Sequence, residues 1–186
     1  MSQTDLVSLF TQESRNIKNV DIGFVICLRL VLYTFHCGCN RHSFAHIAGG
    51  VPVTRIGLQA AFGCNYAGDV APAQVLAAIT DGLAIAAEAG VRIRDLTLAD
   101  TMGWANPRQI ENVIGEVRNR WPELRLALHL HDTRGLGIAN AMAGLRMGVA
   151  RFDAAVGGLG GCPFAGQPGA PGNIATEELV LLCAEL

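Results

Sequence analysis

From Val53 to the last residue the chain repeats one pattern four times: an apolar run, a loop, then a run with helical spacing, each unit about 30 residues long. The first unit joins "VTRIGLQAAF" (residues 53–62), read as a strand, to "PAQVLAAITDGLAIAAEAG" (residues 72–90), read as a helix. Pro72 sits in the first turn of that helix, Gly90 closes it, and Val75, Leu76, Ile79, Leu83 and Ala86 recur on one face. The second unit joins a strand over residues 93–100 to a helix capped by Asn106 and begun by Pro107. The third joins residues 124–131 to a helix over 135–148, and the fourth joins residues 151–158 to the helix of "NIATEELVLLCAEL". Alternation at this spacing requires parallel strands with right-handed crossovers. A β/α barrel and a doubly wound open sheet both satisfy it, and both place ligands at the carboxyl ends of their strands. A doubly wound sheet usually carries a phosphate-binding glycine pattern after its first strand, and none stands there.

The front of the chain is less regular. "DLVSLFTQES" (residues 5–14) reads as a further strand with its loop, and "RNIKNV" as the start of a helix. From residue 21 to 48 there are no caps and no amphipathic period. The apolar run "IGFVICLRLVLYTF" (residues 22–35) contains Arg29 and is short for a bilayer span, so it reads as a buried helix or strand. The net charge of −2 and the lack of a basic stripe argue against nucleic acid as a partner. No cleavable leader pattern opens the chain, and the six cysteines show no regular spacing. They are expected to be reduced thiols in a cytoplasmic protein. Cys37, Cys39, His36 and His42 lie close in sequence but lack the second ligand pair of a zinc site.

The chemistry-bearing residues fall just after the strands. "LALHLHDTRG" places His129 and His131 two apart at the end of an apolar run, so on a strand they face the same way. That spacing suits two imidazoles on one metal ion, or two polar residues closing a strand. Asp132 is placed to orient an imidazole. Asp100 ends its strand as an acid, a base or an Asx-turn. Asn65 and Tyr66 follow the strand over residues 53–62. The glycine-rich stretch "AAVGGLGGCPFAGQPGAPGN" (residues 154–173) carries Cys162 in a reachable loop, and its "GLGG" offers backbone N–H groups to a phosphate. Asn173 stands at the start of the last helix. There an N-cap is the favoured reading of the residue alone, and its amide oxygen is also a ligand for a hard cation.

Three stretches taken together resemble hydroxymethylglutaryl-CoA lyase: "LTLADTMGWANP", "LHLHDTRGLGIANAMAGLRMGV" and "FDAAVGGLGGCPFAGQPGAPGNIATEEL". "FGCNYAGDV" resembles the loop after that family's fifth barrel strand, and "SLFTQESRNIKNV" its fourth-strand region more weakly. His-x-His-Asp-Thr separates the family from related synthases, and Gly-Gly-Cys-Pro separates it from related carboxyl-transferring barrels. The resemblance implies an α/β fold, a partial (β/α)8 TIM barrel comprising about strands 4 to 8 with their helices. Residues 1–186 then form a single incomplete barrel domain, with 21–48 a divergent or frame-shifted segment. It implies a metal-dependent lyase that splits 3-hydroxy-3-methylglutaryl-CoA into acetyl-CoA and acetoacetate, in leucine breakdown and ketone-body formation. His129, His131 and Asn173 become ligands of a divalent cation, Mg2+ or Mn2+, which reverses the preference for Asn173 as a cap. Cys162, Asp100 and His129 become catalytic, and Arg55 corresponds to a substrate-binding arginine on the fifth strand. The implied partners are an acyl-CoA substrate and a second subunit of a homodimer. The first-strand aspartate and arginine of the family have no counterpart here, so an inactive remnant that only binds a partner subunit is the alternative.

Overall fold

The structure is a computed structural model that describes residues 21–24, 53–64, 67–160 and 172–186. Its centre is a five-stranded parallel sheet of β1 (Asp21–Phe24), β2 (Arg55–Leu58), β5 (Asp95–Asp100), β6 (Arg125–Leu130) and β7 (Arg151–Ala154). A two-residue antiparallel hairpin, β3 (Gly63–Cys64) and β4 (Gly68–Asp69), stands in the loop after β2. The helices are α1 (Pro72–Glu88), α2 (Pro107–Arg120), α3 (Gly137–Arg146) and α4 (Thr176–Glu185).

The order across the sheet is β1–β7–β6–β5–β2. From β2 to β7 each new strand is added on the same side of the last, with no reversal, and β1 lies beyond β7 at the far edge. A doubly wound sheet must reverse its order at a switch point, so β2, β5, β6 and β7 form a sector of a singly wound barrel. The helices agree. On α1, Ala78 and Ile79 lie against Leu58 and Leu96. On α3, Gly144 lies so close to Leu128 and Phe152 that a Cβ there would meet them at 2.5 and 3.3 Å. Both helices therefore cover the same face of the sheet.

Strand alternation separates two environments. Leu96, Leu98, Leu126, Leu128, Leu130 and Phe152 point under the helices and are almost wholly buried. Each such side chain contributes about 1.5–3 kcal/mol of transfer free energy. The opposite face carries Thr97, Ala99 and Ala127, with a charged cluster at its amino end. There Asp95 accepts hydrogen bonds from Arg125 at 2.9 Å and Arg151 at 2.5 Å. A buried carboxylate needs such partners.

The helix boundaries follow local chemistry. Asn106 accepts from the Gln109 N–H at 3.1 Å while the Gln109 side chain accepts from the Asn106 N–H, a reciprocal cap with Pro107 at the first helical position. Gly90 stands at φ +70 just past α1, where the left-handed conformation stops a helix. Two expectations are corrected. The strand read over residues 53–62 ends at Leu58, because Ala60 turns the chain at φ 52. The strand read over 151–158 ends at Ala154, because the glycines at 157 and 158 turn it into a 3-10 turn. The run over 22–35 begins in β1, and its remainder lies outside the described residues, as do the expected strand over 5–14 and the cluster of His36, Cys37, Cys39 and His42.

Candidate metal and catalytic site

All strands of the five-stranded sheet run the same way, so the ends of β5, β6 and β7 share one rim. The loop after β5 is fixed first. Asp100 is fully buried, and its carboxylate accepts from the N–H of Trp104 at 2.9 Å and of Ala105 at 3.1 Å. The Ala105 carbonyl in turn accepts from Asn140 of α3 at 3.0 Å. Asp100 thus shapes the loop as an Asx-turn does. Burial pushes its pKa up, against the backbone hydrogen bonds and Arg134, which hold it down. The folded chain therefore binds this proton more tightly than the unfolded one. Stability from this group is greatest below the ordinary carboxylate value of 3.8 and falls as pH rises through the raised folded value. Asp100→Asn is expected to flatten that part of the pH profile, as read from urea midpoints above pH 3.5 or so.

Thr101 ties this loop to its neighbours. Its hydroxyl accepts from the Ala60 N–H at 2.8 Å and donates to the Gln59 side chain at 3.1 Å. Its carbonyl oxygen lies 2.7 Å from His131 Nδ1. A carbonyl only accepts, so Nδ1 carries the proton and the neutral ring keeps its lone pair on Nε2. Burial lowers the His131 pKa and favours that neutral form, opposed by the Thr101 carbonyl. The His129 ring stands beside it, centroids 5.0 Å apart, with Nδ1 at 3.3 Å from an Asp153 carboxylate oxygen.

Asn173 completes the group. Its backbone forms an isolated bridge with His131, and its side-chain Nδ2 donates to the Leu159 carbonyl at 2.8 Å. Its Oδ1 is buried and has no hydrogen-bond partner among the described residues. The side chain comes close enough to His131 to favour the charged ring without reaching hydrogen-bond geometry. Ala175, not Asn173, occupies the N-cap position of α4. The cap reading fails because the chain at 173 is still pairing with the end of β6.

Asp132 does not orient an imidazole. It points to the other side of the strand from His131 and accepts from the Gly137 N–H at 2.7 Å, capping α3. The groups facing the two Nδ1 atoms are the Thr101 carbonyl and Asp153. Asp153 had a visible signal, an acid at inward parity in "RFDA". A backbone carbonyl has none. Nor are the Gly158 and Leu159 N–H groups of "GLGG" open to a phosphate, because they donate to the Ala155 carbonyl at 3.0 Å and the Val156 carbonyl at 3.4 Å. Arg55 is not gathered with the histidines. It begins β2 level with Asp95 and Arg125, four strand residues (about 13 Å) short of His129. Cys162, Asn65 and Tyr66 lie outside the described residues.

His129, His131 and Asn173 thus bring two imidazoles and an amide oxygen to one strand-end site. The family model described as HMGL-like matches residues 43–185. The chain belongs to the HMGL-like family. It is 44% identical over 133 residues to hydroxymethylglutaryl-CoA lyase YngG of Bacillus subtilis, covering 72% of this chain and 42% of that protein. It is also 44% identical over 127 residues to (R)-citramalyl-CoA lyase of Chloroflexus aurantiacus, covering 68% of this chain and 38% of the other. The HMG-CoA lyase structure from Bacillus subtilis superposes with a TM-score of 0.63 at 40% identity, over 77% of this chain and 45% of that one. The Acinetobacter baumannii HMG-CoA lyase, solved with coenzyme A and 3-methylmalate, gives 0.61 at 40% identity, over 78% and 47%. These neighbours bear out the partial TIM barrel. The carboxyl transferase domain of Rhizobium etli pyruvate carboxylase, at 21% identity and a TM-score of 0.54, shares the fold alone. The chain spans about two fifths of the length of the curated relatives it matches. Among the described residues no helix is long and apolar enough to cross a membrane.

Proposed function

We propose that this chain carries the metal-binding part of a carbon–carbon lyase that cleaves 3-hydroxy-3-methylglutaryl-CoA to acetyl-CoA and acetoacetate. The observation that carries this reading is the buried Asn173 Oδ1, without a hydrogen-bond partner among the described residues, beside His131, whose Nδ1 is tied to the Thr101 carbonyl. A buried acceptor without a donor is costly, and a divalent cation removes that cost. An amide oxygen with two imidazoles is compatible with Mg2+ or Mn2+ and does not select them. His129, His131 and Asn173 are the residues that would hold it.

The reaction is a retro-Claisen cleavage. The tertiary C3 hydroxyl loses its proton, the C2–C3 bond breaks, C3 becomes the ketone of acetoacetate, and the electron pair leaves as the enolate of acetyl-CoA, which takes a proton back at C2. A bound cation lowers the pKa of that hydroxyl and neutralises oxyanion charge. Asp100 and His129 are the groups at the rim able to take the proton. Asp100 is fully buried with both oxygens engaged, whereas His129 leaves 21% of its side chain exposed. A nitrogen that held the cation would have no lone pair to spare, so His129 would serve either as a ligand or, with Nε2 free, as the base. Cys162, which lies outside the described residues, belongs to the same proposal as the thiol of the glycine-rich loop.

Acetyl-CoA release from 3-hydroxy-3-methylglutaryl-CoA and from (R)-citramalyl-CoA, with Mn2+ and with chelator, tests the proposal. Release that chelator abolishes is expected, and the preferred substrate fixes the acyl group. Among the described residues β1 and β2 are open sheet edges, which favours a second reading in which the chain works only against another subunit. Absence of cleavage, with retained binding to an intact lyase subunit, would decide for that reading.

A further inference from the structure

We infer that Asp153 is the positioning residue of His129: it accepts the Nδ1 proton and thereby presents Nε2, with its lone pair, to the site. This deepens the lyase reading and rests on it. The geometry comes from the sheet register. His129 and Asp153 are directly paired residues of neighbouring parallel strands, so their side chains leave the same face. Asp153 Oδ2 lies 3.3 Å from His129 Nδ1. An ionised carboxylate only accepts, so the proton between them sits on Nδ1. His131 reaches the same state by another route, through the Thr101 carbonyl at 2.7 Å. Two rings from one strand, each locked with Nδ1 turned to an acceptor, present the same nitrogen. Two independent devices giving one outcome is what a shared ion requires and what a strand end does not.

The two devices differ in robustness. The Thr101 carbonyl is backbone, braced by Ala60 and Gln59 through the Thr101 hydroxyl. Asp153 is a side chain 27% exposed, on a strand that pairs with β6 through only two residue pairs. His129 is the ring whose orientation depends on one replaceable group. Asparagine at 153 presents its amide either way round and no longer enforces one tautomer. Glutamate keeps the charge and the acceptor.

Two measurements on the full chain test this. Long-range 1H–15N NMR of the metal-free chain above the histidine titration range reads which nitrogen of His129 is protonated. Free Mn2+, measured by electron paramagnetic resonance, reads affinity. The native chain is expected to show His129 protonated on Nδ1. Asp153→Asn should populate both tautomers and weaken Mn2+ about 10- to 100-fold, leaving the His131 signals unchanged. Asp153→Glu should recover most of the affinity. Protonation of His129 on Nε2 in the native chain would overturn the inference without any variant. The remaining failures separate cleanly. A native chain that binds no Mn2+ defeats the ligand reading and this inference with it. Native binding that Asp153→Asn leaves intact defeats Asp153 alone.

Discussion

Replacing His131 by alanine is expected to weaken Mn2+ binding by at least about 100-fold, more than the loss of an outer partner costs, and to remove metal-dependent cleavage with it. His131 is only 5% exposed, and it is the hub of the rim. Its Nδ1 faces the Thr101 carbonyl, its ring stands 5.0 Å from that of His129, and its backbone bridges Asn173. The substitution deletes one proposed ligand and leaves the Thr101 carbonyl without its donor. That second effect costs about 1–3 kcal/mol of stability on its own. The binding measurement is therefore made well below the unfolding midpoint of both chains. His131→Gln is the companion variant, because its amide can restore a donor to Thr101 without supplying an imidazole. If His131→Gln regains stability but not Mn2+ affinity, the ring itself is the ligand. If both variants bind Mn2+ as the native chain does, the metal reading of this rim is wrong.

The parts of this site that were legible in the sequence are those set by local chemistry. His129 and His131 share a face because strand side chains alternate, and no tertiary information is needed to say so. The same holds for the Asn106–Pro107 start of α2 and for Gly90 after α1. What stayed hidden depends on register or on backbone. Asp153 faces His129 only because β7 pairs with β6 at that level. One residue of slip would send it to the helix side. Asp132 is adjacent to His131 in sequence yet serves α3, because adjacency along a strand means opposite faces. Asn173 looked like a cap because the helix begins close by. The extra residues before Thr176 are spent on bridges to His131 and Ala155, a tertiary contact with no local signature. The cluster of Asp95, Arg125 and Arg151 was signalled by charges inside apolar strands, "RDLTL", "LRLAL" and "ARFDA". Their mutual pairing again required the register.

The second large effect is expected from a single added methyl. Gly172→Ala should destabilise the chain by about 3 kcal/mol, the upper range for overpacking, and abolish the placement of Asn173. A Cβ at Gly172 would overlap the carbonyl oxygen of Gly158, with the Gly160 carbonyl oxygen at 2.9 Å behind it. Both obstacles are backbone, so no rotamer change relieves the clash. Each flank is also tied. The Asp132 N–H donates to the Gly172 carbonyl at 3.1 Å, the Asn173 N–H to the Gly160 carbonyl at 3.0 Å, and the Gly158 N–H to the Ala155 carbonyl at 3.0 Å. Relief must break at least one of these; the first holds the Asn173 segment against the end of β6, and the second holds Asn173 to the loop after β7. Gly135→Ala separates close approach from backbone strain. Gly135 has φ +68 but open space around its would-be Cβ, so alanine there pays only the left-handed penalty of about 1–2 kcal/mol. It should leave Mn2+ affinity unchanged. Urea midpoints and Mn2+ titrations on the two variants give the comparison. If Gly172→Ala loses no more stability than Gly135→Ala and still binds Mn2+, the backbones at 158 and 172 do not meet, and Asn173 is not held against His131 by this clamp.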